Sequence, residues 1–311
     1  MRKGGVPHTV VVTGVGGAGI GAIIDALSDY LVVGVDADDM AVGRFLVDKF
    51  YRVPMADDPD YIKTLANICK KEKADVVLIL VDEEIGALAG KTFPVATSIT
   101  NPTMTLFCLD KRQFYLLPKH LREFEKKIRL PDTWLLDNFR YYGGEYILKP
   151  RYGRGSQGIY KVSDEIDLKY YQTKLKDYLI QRYIEGNEYT VDVLRNRHGE
   201  FLAVIPRERI APDSGLSIKG RTVHDEKIIK RTEHVVDGLG LWGAVNVQWI
   251  DDCLIEVNPR LAGSVALSIA AGVNIPAEAV KIYADPDYIG EKHGFKDVTM
   301  FRYWNEIFRE G

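Results

Sequence analysis

Short apolar runs alternate with amphipathic stretches along the first third of the chain. The runs His8–Thr13, Leu31–Val35 and Val76–Val81 are almost entirely apolar, which is typical of strands buried on both faces. Between them, stretches such as Tyr61–Lys71 carry apolar residues at helical spacing. Strands that alternate with helices predict a parallel sheet covered by helices on both sides. We therefore predict a Rossmann-like domain over residues 1–110.

The pattern changes in the middle of the chain, where charged stretches and short strands replace the buried runs. Residues Lys111–Lys127 predict a long, charged helix. Further on, Tyr146–Lys149 and Gly158–Val162 predict two strands joined by a glycine-rich loop. We assign this small α+β lobe to residues 111–185.

The remainder of the chain predicts a larger lobe. From Tyr189 onward most segments have the alternation of antiparallel strands, with one helical stretch at Val265–Ala271. This lobe is assigned to residues 186–311. The expected fold class is therefore α/β and α+β: a Rossmann-like domain followed by a two-lobed fold.

Composition excludes several classes of function. The chain has 311 residues, of which 46% are hydrophobic and 27% charged, as in ordinary soluble domains. A formal net charge of -3 offers no basic surface for nucleic acid or anionic membrane. Cys69, Cys108 and Cys253 are far apart, so neither a disulfide framework nor a zinc site is predicted. Because Pro7 and His8 interrupt the first apolar run, we expect no signal peptide and a cytoplasmic location.

A glycine-rich turn follows the first predicted strand. Gly14–Gly19 fits the pattern G-x-G-x-x-G, and Asp36 ends the next strand near the position that reads a ribose. Alone, this motif suggests a Rossmann-type NAD(P)-dependent oxidoreductase. The same glycines would also serve a tight turn and close packing of a helix on a strand. The oxidoreductase stays an alternative, because it leaves the motifs in the rest of the chain unexplained.

A second glycine-rich loop joins the two strands of the small lobe. Lys149 ends the first strand, and Gly153, Gly155 and Gly158 follow within the loop. Such a loop can fold over phosphates and donate backbone N–H groups, while Ser156 adds a hydroxyl and the lysine adds a charge. An exposed hairpin with mobile glycines is the alternative. We favour phosphate binding, because packing alone does not explain a lysine beside so many glycines.

The third motif is a hairpin around the acidic turn at 251–253. A strand period of two places Glu256 and Asn258 on one face, and pairing across the turn adds Gln248 to that face. Oxygen ligands without histidine or cysteine favour Mg²⁺, with Arg260 close by. A solvated polar face is the alternative interpretation. The opposite face of the hairpin, directed toward a core, is predicted to hold Val247, Trp249, Ile255 and Val257.

In combination these motifs resemble the ATP-grasp superfamily, in particular single modules similar to those of the carbamoyl phosphate synthase large subunit. The resemblance implies a pre-ATP-grasp Rossmann-like domain and two lobes that hold ATP between them. It implies catalytic roles for Lys149 and Arg260, and an Mg²⁺ site, with Mn²⁺ as an alternative ion, at Gln248, Glu256 and Asn258. The ATP-contacting residues would be Lys111, Lys149, Gly153, Gly155, Ser156 and Gly158, the hinge Gln181, Arg182, Tyr183 and Ile184, and Glu188 at the ribose.

The implied activity is an ATP-dependent ligase that joins a carboxylate to an amine or another nucleophile through an acyl phosphate, releasing ADP and phosphate. A nucleotide-binding regulatory protein without turnover is a further alternative. The expected partners are a small-molecule carboxylate and the nucleophile, with no nucleic acid and no membrane; a homo-oligomer is compatible with the sequence. The predicted substrate residues are Arg207, Arg209, Ser214, Gly215 and Lys219, which a solvated basic strand and loop would explain equally well, together with Gly16 and Glu83.

The acidic run Asp82–Glu84 follows the third apolar run and lies where the acceptor substrate is expected. These carboxylates could bind an ammonium group. Since acidic residues are favourable in the first turn of a helix, the sequence favours capping of the helix that follows.

Overall fold

The computed structural model describes residues 8–115, 128–155, 157–213, 215–303 and 305–309. Within these ranges the chain forms three sheets, of five, six and four strands. The first is parallel and the other two are antiparallel, which confirms the predicted fold class. No described helix has the length and apolar character needed to cross a membrane.

The N-terminal domain is built on the parallel sheet, whose strand order is β3-β2-β1-β4-β5. All five residues of β1 are buried, because this strand lies in the centre of the sheet with helices on both faces. The strands are β1 (Thr9–Thr13), β2 (Leu31–Asp36), β3 (Lys49–Arg52), β4 (Val76–Leu78) and β5 (Ala96–Thr97). The helices are α1 (Ile20–Ala26), α2 (Tyr61–Glu72), α3 (Asp82–Leu88) and α4 (Pro102–Leu109), with a 3₁₀ helix at Val42–Phe45.

Helix α2 shows how the sequence pattern produces this packing. Its buried residues are Tyr61, Leu65, Ile68 and Cys69, which lie on one face because they are separated by three or four residues. They join the core formed by the inner residues of the sheet. The helix ends at Glu72, where Lys73 adopts a positive φ of 53°.

The small lobe contains the four-stranded sheet, in the order β6-β9-β7-β8. Its helix 165–174 begins after Asp164, whose side chain accepts a hydrogen bond of 2.8 Å from the Asp167 backbone N–H. The strands are β6 (Thr133–Leu135), β7 (Tyr146–Pro150), β8 (Tyr160–Val162) and β9 (Tyr178–Arg182). The helices are α5 (Lys111–Tyr115) and α6 (Glu165–Lys174), with a 3₁₀ helix at Leu136–Asn138. The rest of the helix predicted over Lys111–Lys127 falls largely outside the described residues.

The larger lobe contains the six-stranded sheet, in the order β14-β13-β10-β11-β12-β15. One face packs on the helix at 226–238, and the opposite face carries polar side chains, among them Thr190 and Gln248, that line a cavity. The strands are β10 (Glu188–Arg195), β11 (Phe201–Asp213), β12 (Leu216–Thr222), β13 (Gly243–Ile250), β14 (Cys253–Asn258) and β15 (Thr299–Phe301). The helices are α7 (Glu226–Gly238), α8 (Ala266–Ala270) and α9 (Ile275–Ala284).

The β13–β14 hairpin has the predicted register at its polar end. Gln248 pairs with Glu256, but the register then shifts, so that Trp249 pairs with Leu254. Leu254 is therefore buried against the core together with Trp249. The prediction that Ile255 faces this core is wrong, because the irregularity turns Ile255 toward a cavity on the other side. The buried positions predicted for Val247, Trp249 and Val257 are confirmed.

Candidate active site

Two neighbouring cavities share one wall, formed by the polar face of the β13–β14 hairpin. We call the cavity between the small and the larger lobe, with a volume of about 470 Å³, the hinge cavity. The second, of about 370 Å³, is the loop cavity, since Gly14, Gly17 and Ala18 of the first glycine-rich turn form one side of it. Gln248 and Glu256 line both cavities. A ligand in either cavity would therefore lie against the same two side chains.

The hinge cavity brings together most of the residues predicted to contact ATP. Most of these residues lie on two elements: strand β7 with the loop after it, and the end of β9 with the segment that follows. The predicted residues on its wall are Lys111, Lys149, Gly153, Gly155, Gln181, Arg182, Tyr183, Ile184 and Glu188. Gly158 does not line it but lies against Tyr178, whose hydroxyl oxygen is 2.6 Å from the position a Cβ would take. Ser156 lies outside the described residues.

Lys111 connects the second glycine-rich loop to the metal-binding candidates. Its Nζ donates a hydrogen bond of 2.7 Å to the Gly153 carbonyl and lies 3.4 Å from Glu256 Oε1. The neighbouring Asp110 holds Arg151 through hydrogen bonds of 2.9 and 2.6 Å. Burial is the largest single influence on the pKa of Asp110 and acts to raise it, but the hydrogen bonds from Arg151, the Gln113 N–H and Tyr152, together with the charge of Arg151, outweigh burial and lower this pKa to about 2. The loop is thus fastened to the start of α5 by two separate charged contacts.

On the hinge cavity wall, Lys149 and the exposed Arg182 are the cations for which no described carboxylate lies within 4 Å. Burial lowers the pKa of Lys149, whereas the charge of Glu256 acts in the opposite direction. Because a buried cation is costly without a counter-ion, an anion in this cavity would gain from meeting it.

The candidate metal ligands are one carboxylate and two amides on adjacent strands. Gln248 lies opposite Glu256, and Asn246 lies opposite Asn258. Asn258 lines the loop cavity beside Glu256. The described residues contain no group of three or more His, Cys, Asp or Glu side chains able to hold a metal. A single carboxylate with amide oxygens fits Mg²⁺, an ion that keeps several waters and takes phosphate oxygens as further ligands.

Only some of the predicted substrate residues line the loop cavity. Arg209, Gly215 and the catalytic candidate Arg260 line it. Arg207 does not: it is 1% exposed, and its guanidinium donates to Asp192 Oδ1 at 2.8 Å and to Ser264 Oγ at 2.6 Å. Its predicted contact with a substrate therefore has no support in this geometry.

Three other predicted substrate residues also lie away from the loop cavity. Lys219 is exposed on β12. The Gly16 N–H donates a hydrogen bond of 2.7 Å to Asp36, so the carboxylate expected to read a ribose is used to hold the glycine turn. Glu83 forms an ion pair of 3.0 Å with Arg154. Ser214 lies outside the described residues.

Comparison with known proteins identifies the family. Residues 174–302 match the family described as "ATP-grasp in the biosynthetic pathway with Ter operon", and residues 20–100 match the "PylC-like, N-terminal domain". The chain is thus similar to the ATP-grasp superfamily, and it is homologous to the ATP-grasp module of carbamoyl phosphate synthase large chains. This confirms the resemblance found in the sequence, and the matched regions include the glycine-turn helix as well as the hairpin.

The relatives of this chain include much longer proteins. It is 26% identical over 288 residues to the carbamoyl phosphate synthase large chain of Clostridium acetobutylicum, an alignment covering 85% of this chain and 27% of the other. The chain thus spans about a quarter of the length of the curated relatives it matches first.

Solved structures share the fold of this chain at low sequence identity. N5-carboxyaminoimidazole synthetase from Staphylococcus aureus, complexed with ADP, has a TM-score of 0.73 at 15% identity and covers 95% of this chain and 82% of its own. L-amino acid ligase from Bacillus licheniformis has a TM-score of 0.69 at 15% identity, covering 90% and 74%. These similarities extend over the N-terminal domain and both lobes.

Around the two cavities, arginines are paired with carboxylates from distant parts of the chain. Arg260 donates through Nε and Nη2 to Asp82, the first residue of α3, although 178 residues separate them. Arg209 lies 3.1 Å from Glu188. The sequence reasoning missed the Asp82–Arg260 pair, since no local signal relates two residues so far apart. The pair fixes Arg260 between the N-terminal domain and β14.

The three carboxylates at the start of α3 make separate contacts within the protein. They therefore do not act together as a site for an ammonium group. Asp82 and Glu83 are engaged by arginines. Glu84 is only 7% exposed, and the Thr13 hydroxyl donates to it. Burial raises the pKa of Glu84 to about 7.

Glu84 is expected to make the protein less stable as the pH rises. Its folded-state pKa lies above its ordinary value of 4.5, so the folded protein retains a proton that the unfolded chain releases between about pH 4.5 and 7. The free energy of unfolding should therefore fall by on the order of 2 kcal/mol between pH 5 and pH 8 through this group. Glu84→Gln should remove this part of the pH dependence in urea unfolding. Glu83→Gln, at the exposed neighbouring residue, is the control. If the free energy of unfolding depends on pH equally in Glu84→Gln and wild type, Glu84 is not the group responsible.

Proposed function

We propose that this protein is an ATP- and Mg²⁺-dependent ligase that activates a carboxylate as an acyl phosphate and transfers the acyl group to an amine or another nucleophile. The observation that carries the proposal is the shared wall between the two cavities. Of these two cavities, Lys149 and the hinge segment 181–184 line only the hinge cavity and Arg260 lines only the loop cavity, whereas Arg209 and Glu256 line both. This arrangement suits a phosphoryl donor in the hinge cavity and a carboxylate acceptor in the loop cavity.

ATP would occupy the hinge cavity. Backbone groups of residues 181–184 would bind the adenine, and Glu188 would accept hydrogen bonds from the ribose hydroxyls. Lys149, Lys111 and the loop at 153–155 would surround the phosphates. Positioning and charge stabilisation dominate phosphoryl transfer, so cations placed in this way are sufficient without covalent help from the protein.

The two chemical steps follow from this placement. A carboxylate oxygen of the acceptor attacks the γ-phosphorus, and the bond from that phosphorus to the β–γ bridging oxygen breaks, so that ADP leaves. The nucleophile then attacks the acyl carbon, its proton is lost, and the carbon–oxygen bond to the phosphate breaks. Arg260, held by Asp82, would stabilise the charge on the transferred group. Mg²⁺ bound by Glu256, Gln248 and Asn258 would supply charge neutralisation at the phosphates.

We also propose the domain boundaries that the sequence predicts, at 110/111 and 185/186. Each of the three sheets lies within one of the resulting segments. The hinge cavity then lies between the second and third segments, and the first segment contributes only to the loop cavity.

Ligand-induced stabilisation tests the proposed function. ATP with Mg²⁺, at about 100 times its Kd, should raise the free energy of unfolding by about 2.7 kcal/mol, because only the folded protein binds it. Thermal-shift measurements with ATP–Mg²⁺, ADP–Mg²⁺, NADH and NADPH would measure this effect. Stabilisation by NADH or NADPH without any effect of ATP–Mg²⁺ would favour the oxidoreductase alternative instead.

A further inference from the structure

Three arginines that line the loop cavity are paired with carboxylates that do not line it, and two of the three, Arg154 and Arg209, line the hinge cavity as well. Arg154, Arg209 and Arg260 line the cavity. The carboxylate partner of each arginine lies outside it: the partner of Arg209 lines the hinge cavity, and the other two line a side cavity next to α3. These partners are Glu83 for Arg154, Glu188 for Arg209 and Asp82 for Arg260. The loop cavity is therefore presented with guanidinium groups and not with their counter-ions.

Glu256 is the one carboxylate among the described residues that line the loop cavity. It lies 3.4 Å from Lys111 Nζ and is a candidate metal ligand. Asp192, a buried carboxylate of the same sheet, is 3% exposed and accepts hydrogen bonds from Arg207 and Asn246. None of the carboxylates described here is left to pair with a positively charged group of a ligand in this cavity.

Apolar side chains also line the loop cavity. Its apolar wall comes from the glycine-turn helix α1, the end of the parallel sheet, and two segments of the larger lobe. The residues are Ile20, Ile23, Leu80, Val81, Leu216 and Leu261. A ligand with its carboxylate at the arginines would place the rest of its structure against these side chains.

We propose that the acceptor substrate is a carboxylic acid with an apolar body and no free α-amino group. This inference rests on the proposed function, since it names the substrate class of the loop cavity. An α-ammonium group lies within two bonds of the carboxylate and would enter the cavity beside the three arginines. Without a carboxylate to receive it, the ammonium would lose hydration and be repelled by those guanidinium groups. The apolar body instead gains from leaving water.

The experiment compares pairs of acids that differ only in the α-ammonium group: 4-methylpentanoate with leucine, 3-phenylpropanoate with phenylalanine, and butanoate with 2-aminobutanoate. ADP release is measured with ATP–Mg²⁺ and hydroxylamine, which intercepts an acyl phosphate as a hydroxamate and releases phosphate. In each pair, kcat/KM for the acid without the amino group should exceed that of the amino acid by at least tenfold. Binding of the same acids is measured in the presence of Mg²⁺ and a non-hydrolysable ATP analogue.

Binding and turnover separate the two proposals. If the acids without an amino group bind more tightly but no acid releases ADP, the ligase proposal fails and the substrate class stands. If amino acids are used equally well or better, the substrate class is wrong and the ligase proposal stands. If no acid of any pair binds, the substrate class is also overturned.

A variant that introduces a negative charge on the cavity wall gives a second test. Ala18 is exposed and lines the loop cavity, so Ala18→Asp adds a carboxylate there without disturbing the core. The ratio of kcat/KM between leucine and 4-methylpentanoate, or of their Kd values, should shift toward leucine by about tenfold. Ala18→Asn, of the same size but uncharged, should leave this ratio within twofold of wild type. Equal ratios for both variants would contradict the proposal.

Discussion

Replacing Lys149 by alanine is expected to lower kcat/KM for ATP turnover by a factor of about 100 to 1,000. Lys149 lies on the hinge cavity wall with no described carboxylate within 4 Å, so its charge is available to the phosphates. Removing one donor that stabilises developing charge typically costs about 3 kcal/mol of transition-state stabilisation. Steady-state ADP release at saturating Mg²⁺ measures the loss.

The stability of the Lys149 variant should distinguish a catalytic from a structural role. Since burial of this cation is itself unfavourable, Lys149→Ala and the longer Lys149→Met should unfold at the same urea concentration as wild type or a higher one. Lys161→Ala is the matched control, because Lys161 lies on the neighbouring strand β8 and is exposed beside Glu145. Turnover of Lys149→Ala within threefold of this control would rule out the proposed role.

Glu256→Ala should lower turnover by about 100-fold at limiting Mg²⁺, and raise the Mg²⁺ concentration needed for half-maximal activity by at least tenfold. Glu256 is the carboxylate shared by both cavities, and the loss of a metal ligand weakens charge neutralisation at the phosphates. Titration of activity with Mg²⁺ at fixed ATP measures both effects, and high Mg²⁺ should restore part of the activity.

The effect of Glu256→Ala on folding should be small in comparison. The side chain lies on the polar face of β14 and leaves no apolar cavity when removed, so the free energy of unfolding should change by about 1 kcal/mol or less. Asp252→Ala, in the exposed turn of the same hairpin, is the control for unspecific effects. An unchanged Mg²⁺ midpoint in Glu256→Ala would show that Glu256 is not a metal ligand.

Local patterns predicted the features that depend on a few neighbouring residues. The buried runs of β1 and β2 were predictable because a fully apolar strand has few alternatives in a soluble domain. The pairing of Gln248 with Glu256 was predictable because a tight turn sets the register of the strands beside it. The irregularity that follows was not, and it reversed the prediction for Ile255.

The positions of side chains that depend on contacts between distant segments could not be predicted from the sequence. Arg207 and Arg209 lie two residues apart on β11, and the sequence gives both the same prediction. Arg207 is buried because Asp192 and Ser264, 15 and 57 residues away, receive its hydrogen bonds. Arg209 reaches the loop cavity. Only the folded arrangement of β10, β11 and the loop that carries Ser264 distinguishes these two arginines.

The separate origins of the cavity walls have a consequence for how this protein could be re-engineered. None of the described residues before Lys111 lines the hinge cavity, whereas Gly14, Gly17, Ala18, Ile20, Ile23, Leu80 and Val81 line the loop cavity. With the ligands placed as proposed, substitutions in the first hundred residues would therefore change the surface that meets the acceptor and leave the nucleotide-facing surface intact. A library confined to these seven positions is a way to select for new acceptors while the ATP-handling half of the molecule is kept constant.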